Sequence, residues 1–434
     1  MRFLAVTETC DLATLYLRLQ EDGHEVKVQV SWEKAQGTLA GIVPRIPDWR
    51  AELGWIRDAG ADGIILFEAV SEGFGALQDE LRRDGFNVIG GSALGDRLEN
   101  DRAFAQQALA GLGLQTAATA AFTDFRAAAD HVAARPRRYV LKYCGHGFDA
   151  RDNYVGQRGD GSDVLALLEA RLRARGGRPT EFVLMDHVEG VEMGVGAYFN
   201  GRDFLAPACL DWEHKRFFAG DMGELTGEMG TVATFDRSAP FFARTLGRIA
   251  PMLREAGHVG YVNLNTIVNE AGIWPLEFTC RFGCPGFAIL TLLQLTPWAG
   301  LLRTMASGEG TSFAAAPGFS VGVVLTTPPF PYTRDDVDEP VGLPILLPDG
   351  LDAEDRRNLH FAEMGLADGR LVTSGLYGWT MVVTGTGPTI AAAQAAAYAR
   401  AAPILVPNLR YRRDIGDRLI AGDWSRVEQL GLLG

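Results

Sequence analysis

The chain has 434 residues, with 41 Lys and Arg against 54 Asp and Glu, and a formal net charge of −13. At about 150 residues per domain this length implies two to four domains, and a composition 47% hydrophobic and 22% charged excludes global disorder. The acidic balance offers no basic stripe to nucleic acid or an anionic membrane, and no apolar run approaches the roughly 18 residues that span a bilayer.

Residues 1–17 lack a basic stretch followed by a long apolar core, so they read as a first strand and not as a signal peptide. Phe3–Val6 is a short buried-strand run, residues 12–20 have helical apolar spacing, and residues 25–30 alternate as a strand does. A helix over 49–59, a strand over 63–67, a helix over 74–84 and a strand over 87–89 complete a βαβ rhythm. That rhythm predicts a small parallel sheet with helices on both faces. The turn after the first strand, Thr7-Glu8-Thr9-Cys10-Asp11, contains no glycine, which disfavours a dinucleotide fingerprint.

Helices are predicted over 97–112 and 125–134, with a short Ala-rich strand between them, then a strand over 138–143. Cys144-Gly145-His146-Gly147 and a polar loop to Gly161 follow. Strands are predicted over 182–185, 191–199 and 204–210, then a Gly-rich stretch over 220–230 and one long helix over 240–256. Residues 260–268 and 273–279 pair across Asn269-Glu270-Ala271-Gly272. From about residue 316 the chain reads as strands, a Pro-rich loop at 327–332 and an Ala-rich helix over 390–402. The fold class is α/β, with an α+β centre: a parallel α/β domain over 1–100, a central domain over 101–315 and a mixed β domain with a helix over 316–434.

Five scattered cysteines (Cys10, Cys144, Cys209, Cys280, Cys284) suit a reducing cytoplasm better than a disulfide framework. Cys280 and Cys284 have ligand-like spacing, but no second pair supports zinc. His24, His131, His258 and His360 are isolated, and Gly385-Thr386-Gly387 reads as a tight turn. Only four of the basic residues are lysine: Lys27, Lys34, Lys142 and Lys215. A lysine kept in an arginine-rich chain points to a need for a compact, flexible ammonium.

The strongest local signal is Trp274 to Gly283, where a strand delivers Glu277 and then Arg281 to one end. Magnesium wants hard oxygen ligands, and a phosphoryl group wants a bidentate guanidinium. A plain Glu–Arg ion pair at a strand edge is the competing explanation. Asn263 and Asn265 fall opposite this strand, and Asn263 offers a neutral oxygen to a metal or a hydrogen bond to a polar strand. Lys142 precedes Gly145 and Gly147, an arrangement able to meet phosphate oxygens, although no Walker loop occurs and a snorkelling surface lysine fits too. Asp211 to Arg216 is a charged cluster leading into a Gly-rich loop, either a carboxylate or phosphate recognition element or a solvated hairpin.

The order of these segments resembles the ATP-grasp superfamily and, within it, the phosphoribosylamine–glycine ligase family. The residues that carry the resemblance are Arg97 to Phe104, Glu213-His214-Lys215-Arg216, Thr226-Gly227-Glu228-Met229-Gly230, Val372 to Gly375 and Arg412 to Gly416. Glu277 to Pro285 is similar to the family's E-F-N-C-R-F-G-D-P. The resemblance implies an ATP-dependent carboxylate–amine ligase working through an acyl phosphate, with ATP and Mg²⁺, or Mn²⁺ in its place, and small-molecule carboxylate and amine partners. It implies no nucleic acid or membrane partner, a cytoplasmic location, and a monomer or homodimer. It assigns Arg102, Lys142, Gly145, Gly147, Asp186, Val188 and Glu192 to ATP, and Glu277, Asn263 and Thr279 to the metal. Glu213, Thr226, Gly227, Glu228 and Arg281 fall to the substrates, and Arg281, Lys215 and His214 to catalysis.

The departures are specific. Arg102 stands where lysine is usual, Thr279 where a metal-binding asparagine is expected, and Cys284 and Gly286 where the family has acids. The loop after Lys142 and the turn Val6 to Asp11 also differ from the family. They cluster on substrate-side surfaces, so the expectation is a kept reaction with changed substrates. The alternatives are an authentic purine-pathway ligase and a catalytically impaired nucleotide-binding paralogue.

Overall fold

The computed structural model describes residues 1–68, 71, 73–144, 148, 152–174 and 181–434. At the N-terminus β1 (Arg2–Thr7), β2 (Glu25–Val30), β3 (Gly63–Phe67) and β4 (Val88–Ile89) form a parallel sheet in the order β2-β1-β3-β4. Both faces are covered, as a parallel sheet requires. Leu4, Val6, Ile65 and Phe67 pack with Trp49 and Ile56 on one side. Phe3, Ala5, Ile64 and Leu66 join a core on the other side that continues into Tyr198, Tyr261 and Phe282.

The single helix predicted over 97–112 is two helices, Ala93–Asn100 and Arg102–Gly111. Asp101 leaves the helical conformation (φ −101°, ψ 89°) and its carboxylate accepts the Phe104 N–H at 2.9 Å. An aspartate at a helix N-cap satisfies an otherwise orphaned donor, and the break sets Arg102 at the start of a new helix.

β5 (Thr119–Phe122), β6 (Tyr139–Tyr143), β7 (Tyr154–Val155) and β8 (Phe182–Asp186) form an antiparallel sheet ordered β5-β8-β6-β7. Tyr139 and Leu141 pack under the helices Phe125–Ala134 and Ser162–Arg173. Strand alternation turns Val140 and Lys142 to the other face, where Val140 meets Val188 and Trp274.

The largest sheet is ordered β15-β14-β9-β10-β13-β16-β20-β17. Its strands are β9 (Val191–Asn200), β10 (Cys209–Glu213), β13 (Gly230–Thr234), β14 (Val259–Asn269), β15 (Gly272–Thr279), β16 (Phe319–Thr326), β17 (Leu359–Phe361) and β20 (Trp379–Gly387). β11 (Arg216–Phe218) with β12 (Met222–Leu225), and β18 (Met364–Ala367) with β19 (Arg370–Thr373), are separate hairpins. β16, β17 and β20 thus share one sheet with the strands of the central segment.

Two further elements differ from expectation. The strand expected over 204–210 begins only at Cys209, and Phe204 makes a single bridge to Phe199. The long helix over 240–256 is Ala239–Arg244, a 3₁₀ turn at Leu246–Ile249 and Ala250–Glu255, because Thr245 is non-helical and Pro251 has no N–H to continue the ladder.

Candidate active site

The site is built on one face of β15, β14, β9, β10 and β13. Glu277 lies opposite Asn265 and Thr279 opposite Asn263. Asn265 and Asn263 pair with Gly194 and Gly196, which pair in turn with Asp211 and Cys209. Because side chains alternate along a strand, these residues share a face with Glu192, Tyr198, Glu213 and Tyr261. The two glycines leave a trough in the central strand. A Cβ on Gly194 would meet Asp211 Oδ1 at 2.1 Å, and one on Gly196 would meet Tyr261 Oη at 1.9 Å.

One end of the trough is ionic. Glu277 receives Lys215 Nζ at 3.1 Å on Oε1, and Arg102 Nη1 at 3.3 Å and Lys142 Nζ at 3.5 Å on Oε2. Lys142 and Lys215 hold this carboxyl well below the usual carboxylate range, against the opposing effect of its partial burial. Lys142 is buried and pushed down by that burial, so it is not a snorkelling surface lysine. Lys215 also reaches Glu192 at 2.9 Å and Glu213 at 3.3 Å. Burial opposes its charge, and Glu192, Glu277 and Glu213 together overcome burial and raise it. Thr226 fixes the Lys215 backbone, its N–H and hydroxyl each donating to the Lys215 carbonyl at 2.8 Å.

Arg281 does not pair with Glu277. Its Nε meets Glu99 Oε1 at 3.2 Å, while Glu99 Oε2 accepts the Cys280 N–H at 2.9 Å. Glu99 comes from the helix before the Asp101 break. Arg281 nonetheless lines the same pocket as Glu277, Lys215, Gly227, Glu228 and Thr279.

The other end of the pocket is more neutral. Tyr261 lies nearly parallel to Phe282 (centroids 6.3 Å apart, 14°) and edge-on to Tyr198 (5.2 Å, 61°). Asp211 sits between the two ends. Its Oδ2 accepts Asn263 Nδ2 at 2.6 Å, and burial with the nearby Glu213 pushes its carboxyl up to about 8. Burial also raises Glu213, against the pull of Lys215, and raises Glu228.

Several expected site residues stand apart. His214 alternates away from Glu213 and Lys215, accepts the Gly416 N–H at 3.1 Å and is lowered by burial to about 4, so it is neutral and outside the ionic cluster. Asn263 is joined to Asp211, with Glu277 bonded elsewhere. Asp186 pairs with Arg137 at 2.5 Å at the end of β8, and Val188 joins Val140 and Trp274 in packing against Ala117, Val183 and Met185. Gly145 and Gly147 lie outside the described residues. Asn265, Glu99, Tyr198 and Tyr261 carry no functional assignment from the sequence, yet line or brace the site; the Gly-x-Gly of β9 was the available signal for the trough.

Among the described residues no three His, Cys, Asp or Glu side chains are arranged to hold a metal ion. Magnesium commonly takes one or two carboxylates and completes its shell from substrate phosphates and water. An ionised Glu277 with the Thr279 hydroxyl on the same face fits that mode, and does not fit a resident ion caged by protein alone.

The family model for the phosphoribosylglycinamide synthetase ATP-grasp (A) domain matches residues 100–287. The chain is 28% identical over 355 residues to a phosphoribosylamine–glycine ligase of Nostoc sp., covering 79% of this chain and 81% of the relative. The crystal structure of phosphoribosylamine–glycine ligase from Thermotoga maritima superposes with a TM-score of 0.73 at 22% identity, covering 96% of this chain and 100% of that one. The biotin carboxylase domain of 2-oxoglutarate carboxylase from Hydrogenobacter thermophilus, in complex with MgADP, ADP and bicarbonate, has a TM-score of 0.63 at 13% identity over 94% of this chain and 91% of that one. The match begins at the Asp101 break and ends just past Arg281, so it spans the ionic cluster. Over residues 100–287 the chain matches the phosphoribosylglycinamide synthetase ATP-grasp (A) domain, and along about four-fifths of its length it is similar to phosphoribosylamine–glycine ligases.

Proposed function

We propose that the protein is an ATP-dependent carboxylate–amine ligase whose substrates differ from phosphoribosylamine and glycine. The observation that carries this reading is Glu277, a half-buried carboxylate met by cations from three separate elements: Arg102 from a helix start, Lys142 from β6 and Lys215 after β10. ATP brings about four negative charges, and a pair of charges at 4 Å is worth roughly 4 kcal/mol at an effective dielectric of 20. A cation set of this kind offsets an acidic protein's unfavourable field.

In this reading Lys142 and Arg102 hold the ATP phosphates, in the cleft between the β6 sheet and β15. A magnesium ion bound with the nucleotide, through Glu277 and Thr279, supplies charge neutralisation. Substrate carboxylate oxygen takes the γ-phosphoryl group and ADP leaves. The amine then attacks the acyl carbon, phosphate departs, one proton is released and an amide remains. Arg281, oriented by Glu99, faces the carboxylate and its acyl phosphate. The chain's work is positioning and electrostatic stabilisation. The reading places the enzyme in the cytoplasm with soluble small molecules.

The change of substrates is supported by the turn after β1. It has no glycine, and its Asp11 N–H donates to Glu68 Oε2 while Thr9 Oγ1 donates to Asp11 Oδ1 at 2.7 Å. A turn filled with acids is hostile to a phosphorylated sugar. ADP release with Mg-ATP and a panel of carboxylates and amines tests the proposal. Turnover that disappears in Glu277→Gln supports it, robust glycinamide ribonucleotide formation overturns the change of substrates, and no ADP release with any pair, alongside ATP binding, overturns the ligase reading.

A further inference from the structure

The pocket has a wall that the nucleotide chemistry leaves unused. Carboxyl groups of Asp211, Glu213 and Glu228 line it, with the cations Lys215 and Arg281 in the same pocket. Both cations are already engaged, Lys215 by Glu192, Glu213 and Glu277, and Arg281 by Glu99. Among the described residues Asp211 and Glu228 have only neutral hydrogen-bond partners, Asn263 Nδ2 on the former and the Thr231 hydroxyl on the latter. Asp211 is 7% exposed and Glu228 6%. Asp211 Oδ1 is buried, with no hydrogen-bond partner among the described residues. Leaving such an oxygen unsatisfied is costly, and an arriving ammonium, which displaces the proton that burial holds on this carboxyl, brings both a donor and a compensating charge.

Two observations select the donor. Among the described residues no acid cluster is arranged for a metal ion. Beside the two acids stand Tyr198, Tyr261, Phe282, Phe287 and Leu290. Aromatic faces next to carboxylates suit an organic ammonium, which gains from both, whereas a hydrated metal gains nothing from the rings.

We propose that Asp211 and Glu228 receive the primary ammonium of a substrate whose carbon skeleton is apolar and about one ring in size, seated against Tyr198, Tyr261 and Phe282. This names a substrate class and rests on the ligase reading for its role in turnover, though not for its binding. The ammonium has two sources. An amino acid brings a carboxylate towards Arg281 as the group to be activated, and a simple amine is the attacking nucleophile.

Calorimetric titration of the full chain with phenethylamine, L-phenylalanine, glycine and 3-phenylpropionate, with and without Mg-ATP, tests the proposal. Phenethylamine or L-phenylalanine binds, and glycine and 3-phenylpropionate bind about tenfold or more weakly, the order expected when a charge-assisted contact or a buried ring is lost. Tight binding confined to L-phenylalanine identifies the activated acid; binding of phenethylamine identifies the nucleophile. Asp211→Asn and Glu228→Gln, both near-isosteric, each weaken binding by a similar factor with Mg-ATP affinity unchanged and a folded circular dichroism spectrum. Equal affinity for 3-phenylpropionate, unaltered binding in both variants, or no binding of either ammonium compound overturns it. The readout is binding, so loss of the ligase reading through absent ADP release leaves this result standing, and the reverse also holds.

Discussion

Lys215 Nζ stands 3.1 Å from Glu277 Oε1, the oxygen that Lys142 and Arg102 leave free. Through Glu192, Glu213 and Glu277 this one ammonium ties together β9, β10 and β15. Removing one partner of a half-buried ionic set leaves charge that solvent screens only in part, which costs about 1–3 kcal/mol, below the range for a fully buried pair. Lys215→Met is therefore expected to lower the urea midpoint by that order. The folded-state pKa of Lys215 is raised, so its contribution is complete below the ordinary lysine value and is lost only as pH climbs through the raised one. The deficit is expected to stay level across neutral pH. A midpoint unchanged from the wild type would show that these carboxylates do not need the ammonium.

Lys142 makes a different prediction, because among the described residues its only ion pair is the 3.5 Å contact to Glu277 and that carboxylate keeps Lys215 and Arg102. Burial already pushes Lys142 towards its neutral form. Methionine fills a similar volume without charge, so Lys142→Met is expected to fold normally while losing about tenfold or more in ATP affinity, the order of a charge-assisted phosphate contact. Lys142→Arg is expected not to restore it, since the planar guanidinium is longer and less adaptable in a buried slot. Nucleotide titration checks both, and wild-type affinity in Lys142→Met removes this lysine from the phosphates.

Asp211 gives a pH signature. Its carboxyl is pushed from an ordinary 3.8 to about 8, chiefly by burial and then by Glu213. Between those values the folded state holds a proton that the unfolded state releases, so this group makes stability fall as pH rises. Asparagine mimics the protonated form at every pH. Asp211→Asn is expected to match the wild type near pH 4 and to gain on it steadily up to pH 8, by roughly 2 °C or more in Tm. Thermal melts at pH 5 and pH 8 check this. A gain that is equal at both pH values would mean that Asp211 is ionised throughout.

Much of this arrangement was legible before coordinates, for physical reasons that differ by segment. The N-terminal parallel sheet announces itself because strands covered on both faces are short, nearly continuous apolar runs, as Gly63–Phe67 shows. The hairpin around Asn269–Gly272 follows from two strand patterns meeting at a turn. Lys142 and Lys215 stand out because lysine is rare in this chain. The partner of Arg281 was not legible, since Glu99 lies 182 residues away and the tempting neighbour was Glu277. The helix break at Asp101 was hidden within continuous helical spacing, and only its capping chemistry marks it. The trough had only the Gly-x-Gly of β9 to mark it: β9 is buried on both faces along most of its length, so nothing in its apolar pattern separates the face carrying Gly194 and Gly196 from the core face.

That trough supplies the last prediction. Gly196 has no Cβ, and the Tyr261 hydroxyl occupies the place where one would stand, 1.9 Å from the ideal position, with ring atom Cζ at 2.4 Å. Tyr261 is itself confined, 7% exposed and close to Phe282 and Tyr198. An added methyl group therefore cannot be absorbed by a small rotation, and Gly196→Ala is expected to cost about 1–3 kcal/mol, the range for overpacking a buried site. Removing the phenol wall rather than its hydroxyl alone is the decisive comparison, because Cζ clashes as well as Oη. In a Gly196→Ala background, Tyr261→Ala relieves the overlap it otherwise merely leaves as a cavity. The double variant is expected to be more stable than the two single costs predict, by a coupling of about 0.5–3 kcal/mol. Urea midpoints of the four proteins in the cycle measure it. Simple additivity would show that Tyr261 does not lie across Gly196, and that the trough between the ionic and aromatic ends is not shaped by this pair.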